Sequence, residues 1–240
     1  MDIEFANPLI KKLKDIDWTD YTKDIEDEKE GKTIVNSLKR KPYYEPHALV
    51  KIESEEDFLN VISNAFEELR HYVEDQRWIE PFWNDGDSSK PNSPTPKRET
   101  KIQPTLKVFF EKQLDQTGVH VVREPHEGTG VLDFKFLITI NGKRHVLCLE
   151  FKLAHNNNLK HGLTTQLPSY LKANRYGPGI FFVMWFKDEK GEYFEKPINK
   201  TKSEMIKYLE KKVKELNEKE GYKIESVLID ASIKPSASKS

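Results

Sequence analysis

The 240-residue sequence predicts a mixed α/β fold, with a sheet flanked by helices in the order αβββαβ followed by αβ. Three observations carry this reading. Asn141-Gly142 joins two long runs of strand-like residues, the strongest short-range hairpin signal. Gly179–Phe186 is a continuously apolar run of strand length. Phe58, Ile62, Phe66, Leu69 and Val73, like the segment Thr201–Glu220, space apolar residues at helical steps.

Taken in order, the first 45 or so residues are charge-dense, with Trp18, Tyr21, Tyr43 and Tyr44 scattered among them, and read as short helices and loops. His47–Glu53 is predicted as a short strand. Ser54 caps the next helix, with Glu55, Glu56 and Asp57 in its first turn. Between Asn84 and Pro96 the chain is rich in Gly, Ser, Pro and Asn, the composition of an exposed loop or linker. These features divide the chain into a mainly helical region 1–84, a linker or exposed loop 85–96, an α/β domain 97–232 and a flexible tail 233–240.

Thr100-x-x-Gln103 reads as a capping box opening a helix through Leu106, Phe109, Phe110 and Leu114, with Pro104 tolerated near its start. Gly118 ends that helix and Val119–Arg123 is a strand. A turn-rich stretch from Pro125 to Gly130 follows, then strands Val131–Ile140 and Lys143–Leu153. The loop from His155 to Gly162 leads to a helix from Gln166 to Ala173. Gly179–Phe186, the helix Thr201–Glu220 and a strand Lys223–Ile229 complete the pattern.

Composition excludes several classes. Charged residues make up 33% and hydrophobic ones 36%, yet 13 Phe, 9 Tyr and 4 Trp suffice for a core, so wholesale disorder is excluded. No apolar run approaches the ~20 residues of a membrane span, and the acidic N-terminal stretch does not read as a secretory signal. A single cysteine, Cys148, rules out a disulfide framework and a multi-cysteine zinc site, and a reducing cytoplasm is the expected compartment. Lysine and arginine (39) balance aspartate and glutamate (40), so a basic footprint must come from local clustering.

The hairpin supplies the chemistry. A two-residue turn pairs Ile140 with Lys143 and, outward from there, Phe136 with Leu147, Phe134 with Leu149 and Leu132 with Phe151, an apolar face fit for a core. On the other face the same register sets Asp133 across from Glu150, with Lys152 two residues further on. Directly opposed Cβ atoms lie about 4.5–5.5 Å apart, where like charges destabilise a sheet. Folding does not ask for that pair, whereas a hard divalent cation between the carboxylates would. Gln166 and Tyr170, at i and i+4, share one helix face.

A helix, then three strands carrying Gly128-x-Gly130-x-x-Asp133 and Glu150-Phe151-Lys152, then a helix with Gln166-x-x-x-Tyr170, resembles the PD-(D/E)xK nuclease superfamily and its restriction-endonuclease-like fold. The Gln-x-x-x-Tyr element is similar to the branch that includes RecB-type nuclease domains. The likeness spans residues 97 to 186. It implies Mg²⁺ or Mn²⁺ on Asp133 and Glu150 with help from the Phe151 carbonyl. It also implies Lys152 orienting or activating the attacking water, and Gln166 and Tyr170 positioning substrate or supporting the site. Leu132 stands where the family name has proline, and the upstream helix acid is either Glu99 or Glu111.

The function this implies is metal-dependent hydrolysis of DNA, as in enzymes of restriction, repair or anti-phage defence. The competing readings are a non-catalytic nucleic-acid or protein binding module on the same fold, and an RNA-directed nuclease. Lys97, Arg98, Lys101, Lys107, Arg123, Lys135, Lys143, Arg144 and Lys160 are candidates for a phosphate-binding face. Lys39-Arg40-Lys41 with Tyr43 and Tyr44 could add stacking contacts. Five histidines fall between His120 and His161, without zinc-ligand spacing; His126 and His161 border the expected site.

Overall fold

The computed structural model describes residues 50–84, 94–127, 130–175, 177–188, 190 and 193–234, without the side chains of His126 and Glu127. The chain divides into two units, Met1–Leu49 and Val50–Ser240. The first lies wholly outside the described residues, and with it the mainly helical reading of residues 1–49 and the Lys39–Tyr44 cluster.

The second unit is a mixed α/β structure. Strands β1 (Trp83–Asn84) and β2 (Thr95–Pro96) pair with each other, as do β4 (His126–Glu127) and β5 (Gly130–Val131). The main sheet holds β3 (His120–Arg123), β6 (Phe134–Ile140), β7 (Lys143–Leu153), β8 (Pro178–Trp185) and β9 (Lys223–Asp230), in the order β3-β6-β7-β8-β9. The first two pairings are antiparallel and the last two parallel.

The β6–β7 turn sets this register. Asn141 and Gly142 both have positive φ (50° and 77°), as a type I′ turn requires, and the observed pairs Phe136↔Leu147 and Phe134↔Leu149 follow from it. Parallel partners need long crossovers, and helices supply them. One crossover runs through a short helix (Leu159–His161), a wider π-type turn (Gly162–Gln166) and a second helix (Leu167–Ala173). The other is a long helix, Lys202–Glu220, capped by Thr201 and closed by Gly221 in the left-handed region. Helical structure therefore begins at Leu159, inside the stretch expected to be loop.

Alternation along the strands gives the sheet two apolar faces. One carries Phe134, Phe136, Leu149, Phe151, Phe182 and Met184 against helices Glu55–Arg70 and Glu99–Leu114; the other carries Cys148, Phe181 and Val183 against Leu163, Leu167, Leu171, Met205 and Leu209. Helix Glu55–Arg70 opens with the expected cap, a full capping box between Ser54 and Asp57. Phe66 and Phe110 from the two helices meet at 5.0 Å, and Phe110 also abuts Phe136 at 5.4 Å. Replacing the fully buried Phe110 by alanine is expected to cost about 3–5 kcal/mol. A thermal melt would then fall by on the order of 10 °C.

Three expectations need correction. Helix Glu55–Arg70 shares the main core, and residues 85–96 therefore do not separate it from the sheet as a linker between regions. Val50–Glu53 forms no strand; residues 47–49 lie outside the description. Helix Glu99–Leu114 begins at Glu99 after Arg98, so Thr100-x-x-Gln103 is not its capping box and Pro104 lies beyond its first turn. No helix among the described residues is long and apolar enough to cross a membrane.

Candidate functional site

The predicted register holds up to Phe134↔Leu149 and then stops one pair short of Asp133 and Glu150. The strand bends there. Glu124, with φ of 52°, closes β3, and the Asp133 carbonyl accepts from its amide at 3.0 Å. The bend turns Leu132 to the opposite face of the sheet, into the cluster with Leu167 and Tyr170. It does not lie opposite Phe151 in the core expected from the hairpin.

Asp133 nonetheless reaches Glu150's neighbourhood, by way of the β7 backbone. Its Oδ2 accepts from the Phe151 amide at 2.8 Å and its Oδ1 accepts from Gln103 Nε2 at 2.6 Å. Glu150 and Lys152 project from the same face of β7, and Lys152 Nζ donates to Glu150 Oε1 at 2.7 Å. That ammonium also lies 3.8 Å from Asp133 Oδ2 and 3.8 Å from Glu99 Oε2, and donates to the Phe151 carbonyl at 3.2 Å.

Three carboxylates from three separate elements therefore surround one cation. Of the two upstream acids, the structure brings Glu99 to the site; Glu111 pairs with Lys107 on an exposed helix face. Glu99 is oriented by the Leu153 amide at 2.9 Å and by Asn156 Nδ2 at 2.6 Å.

The charges do not balance. Three ionised acids against one ammonium leave an excess of negative charge in a site where Glu150 is 2% exposed. Burial, reinforced by Asp133, pushes Glu150 up to about 8; burial likewise pushes Asp133 up to about 6, against the pull of Lys152. For Lys152, burial works toward neutrality, but Glu150 and Asp133 outweigh it and hold the ammonium above the usual lysine range. Glu150 Oε2 and Gln103 Oε1 are buried with no hydrogen-bond partner among the described residues. No group of three or more His, Cys, Asp or Glu side chains among the described residues is arranged to hold a metal ion as it stands.

Residues 58–188, more than half of the chain, match a family described as a domain of unknown function. The chain belongs to DUF8371. No curated protein and no solved structure matches it. The DUF8371 segment contains every residue of the acidic cluster and starts within helix Glu55–Arg70, which packs on the sheet face that carries Phe134 and Phe182.

The remaining candidate residues of this DUF8371 chain fall as follows. Tyr170 donates its hydroxyl to the Val131 carbonyl at 2.9 Å and so braces the strand leading into Asp133; burial, then Glu150 and Asp133, raise its pKa. Gly130 allows that approach, because a Cβ there would sit 2.9 Å from the hydroxyl. Tyr170→Phe is expected to cost about 1 kcal/mol. In a melt that is a loss of roughly 3 °C. Gln166 Oε1 is buried without a partner among the described residues. Gly128 lies outside them.

The basic residues do not form one face. Lys107 and Arg123 have acidic neighbours, Lys135 is buried, and Lys143 and Arg144 sit at the hairpin tip. Six residues of strand, about 20 Å, separate that tip from Glu150. Arg98 directly precedes Glu99 and Lys101 follows it by two residues. His145 lies toward Glu55, His161 is exposed, and Cys148 is packed in the core.

Sequence reasoning missed Gln103 and Asn156. The sequence reads Gln103 as part of a cap, although its place four residues after Glu99 on one helix is a usable signal. Asn156 carries none, because only the folded loop brings it to Glu99.

Proposed function

We propose that the protein is a metal-dependent nuclease that hydrolyses phosphodiester bonds in DNA, on a restriction-endonuclease-like core of the PD-(D/E)xK type. The observation that carries this reading is the convergence of Glu99, Asp133 and Glu150 on Lys152, with one Glu150 oxygen left buried and unpartnered. The element order αβββαβ and the positions of the acids along it support the same reading.

The donor set fits a hard divalent ion: carboxylate and carbonyl oxygens, excess negative charge, and an orphaned acceptor. Asp133, Glu150 and the Phe151 carbonyl would hold Mg²⁺ or Mn²⁺, with Glu99 as a further oxygen donor. Such an ion supplies Lewis-acid polarisation of a phosphodiester oxygen. Lys152, tethered by the acids, presents a protonated donor toward the reacting phosphate and stabilises charge growing on its oxygens. Gln103 and the Phe151 amide fix the Asp133 carboxylate; Asn156 and the Leu153 amide fix Glu99; Tyr170 fixes the bend.

The test is digestion of supercoiled plasmid with Mg²⁺, Mn²⁺ or chelator. Ion-dependent conversion to nicked or linear forms is expected, and parallel incubations with single-stranded DNA and RNA assign the substrate. A second reading, a binding module without catalysis, is favoured by one contact: Lys152 already hydrogen-bonds Glu150 and partly neutralises the cluster. Thermal stability unmoved by Mn²⁺ would support that reading.

A further inference from the structure

Away from the acidic cluster, the outer side of helix Glu99–Leu114 borders a cavity of about 830 Å³. We propose that this cavity binds single-stranded nucleic acid, its bases against the rings of Tyr72 and Trp78 and its phosphates on Arg77 and Lys112. This deepens the nuclease reading, and rests on it for what the bound strand is held ready to meet.

The helix ending at Arg70 continues into a wider π-type turn, His71–Asp75, and the chain then folds back so that the Trp78 amide donates to the Tyr72 carbonyl at 2.9 Å. That return gathers three rings. Tyr72 stands 6.4 Å from Trp78 and 6.0 Å from Phe109, and Trp78 lies 6.0 Å from Phe109. Tyr72 is 36% exposed, and Val108 beside it is 65% exposed, an apolar surface that folding alone leaves in water.

The charge on the rim is of one dominant sign. Arg77 and Lys112 line the cavity against a single acid, Glu80, and neither cation has an acidic partner among the described residues. Lys101, Thr105, Val108 and Lys112 recur at helical steps, so this face of the helix continues the positive rim toward the helix start. Glu99, Gln103 and Phe110 occupy the reverse face, with Glu99 at the acids. Aromatic platforms combined with cations along a groove are the chemistry that binds unpaired strands. Stacking tolerates any base, while the phosphates supply salt-dependent attraction. A peptide of the acidic kind would use the cations but would leave the rings without planar partners.

The experiment is fluorescence anisotropy of labelled oligothymidylate and oligouridylate of about 15 nucleotides, and of a duplex of equal length, titrated with the full chain in chelator. Binding to single strands is expected, weakening as salt rises. Arg77→Glu with Lys112→Glu is expected to weaken it at least about tenfold, and Val108→Glu to weaken it as well. Lys207→Glu with Lys219→Glu, exposed on the long C-terminal helix, is the charge-matched control. Binding of either labelled strand through these residues supports the proposal, and the better-bound one identifies the sugar. It is overturned if no single strand binds, if the duplex binds equally well, or if the groove variants bind no worse than the control pair. Because chelator stops any cleavage, the two readings fail separately. Ion-dependent plasmid cutting with unaffected groove variants sinks this proposal alone, and groove-dependent binding without any cutting sinks the nuclease reading alone.

Discussion

Asp133→Asn and Lys152→Met each lower ion-dependent plasmid cleavage by at least about a hundredfold, if the proposed chemistry is right. Asn at 133 keeps an acceptor for the Phe151 amide or Gln103 while removing the charge. Met at 152 keeps the stem volume beside Gly162, whose added Cβ would meet Lys152 Cε at 3.0 Å. Both substitutions test charge and leave shape nearly intact, so far-ultraviolet circular dichroism should report a folded protein. The alanine variants are harsher. Asp133→Ala strands two buried donors, at about 1–3 kcal/mol each. Cleavage by all variants at the wild-type rate would end the assignment.

The second large effect is on stability. Asp133 and Glu150 hold their protons to about pH 6 and about pH 8 in the folded chain, both because burial disfavours the anion. Carboxylic acids in an unfolded chain release theirs near pH 4. Between those limits the folded form binds more protons than the unfolded one, so the stability these two groups confer is complete in acid and is lost as pH rises toward 8. In chelator the melting temperature is expected to drop by roughly 5 °C or more between pH 5 and pH 8. Mn²⁺ should recover it most strongly at the alkaline end, where the acids are ionised.

Glu150→Gln removes the group with the greatest rise. The variant is expected to melt higher than wild type at pH 8 in chelator, to show a flatter pH dependence, and to gain less from Mn²⁺. Differential scanning fluorimetry across pH reads all three. A wild type that gains stability from pH 5 to pH 8 in chelator, or a Gln variant that melts lower at pH 8, would contradict this account of the site.

Much of this arrangement was legible in the residues. Asn141-Gly142 sets the β6–β7 register without help from tertiary structure, because the turn type constrains only its own two dihedral pairs and the twist of the flanking strands. The Ser54 cap was equally local. What failed was extrapolation. Continuing the ladder past Phe134 assumed an unbroken strand, but the backbone turns at Glu124 and Asp133, where β4 and β5 pair with each other instead. Nothing within a few residues announces such a bend. Glu99 could not be chosen over Glu111 from periodicity alone, since helix start and neighbouring loop together decide which acid meets Lys152. The Gly-Ser-Pro composition before Pro96 does not say which elements on either side share a core.

The clasp made by β1 and β2 has a practical consequence. Asn84 pairs with Thr95 and Trp83 with Pro96, and the Trp83 indole donates to the Ala231 carbonyl at 2.8 Å. The two chain ends flanking residues 85–93 are thus fastened side by side, at a point that carries none of the acids. Entropy of closing a loop rises only slowly with its length. A fluorescent reporter spliced between Asn84 and Thr95 would therefore enter through a doorway whose posts are already anchored, and should leave the remainder of the molecule to fold around it unchanged.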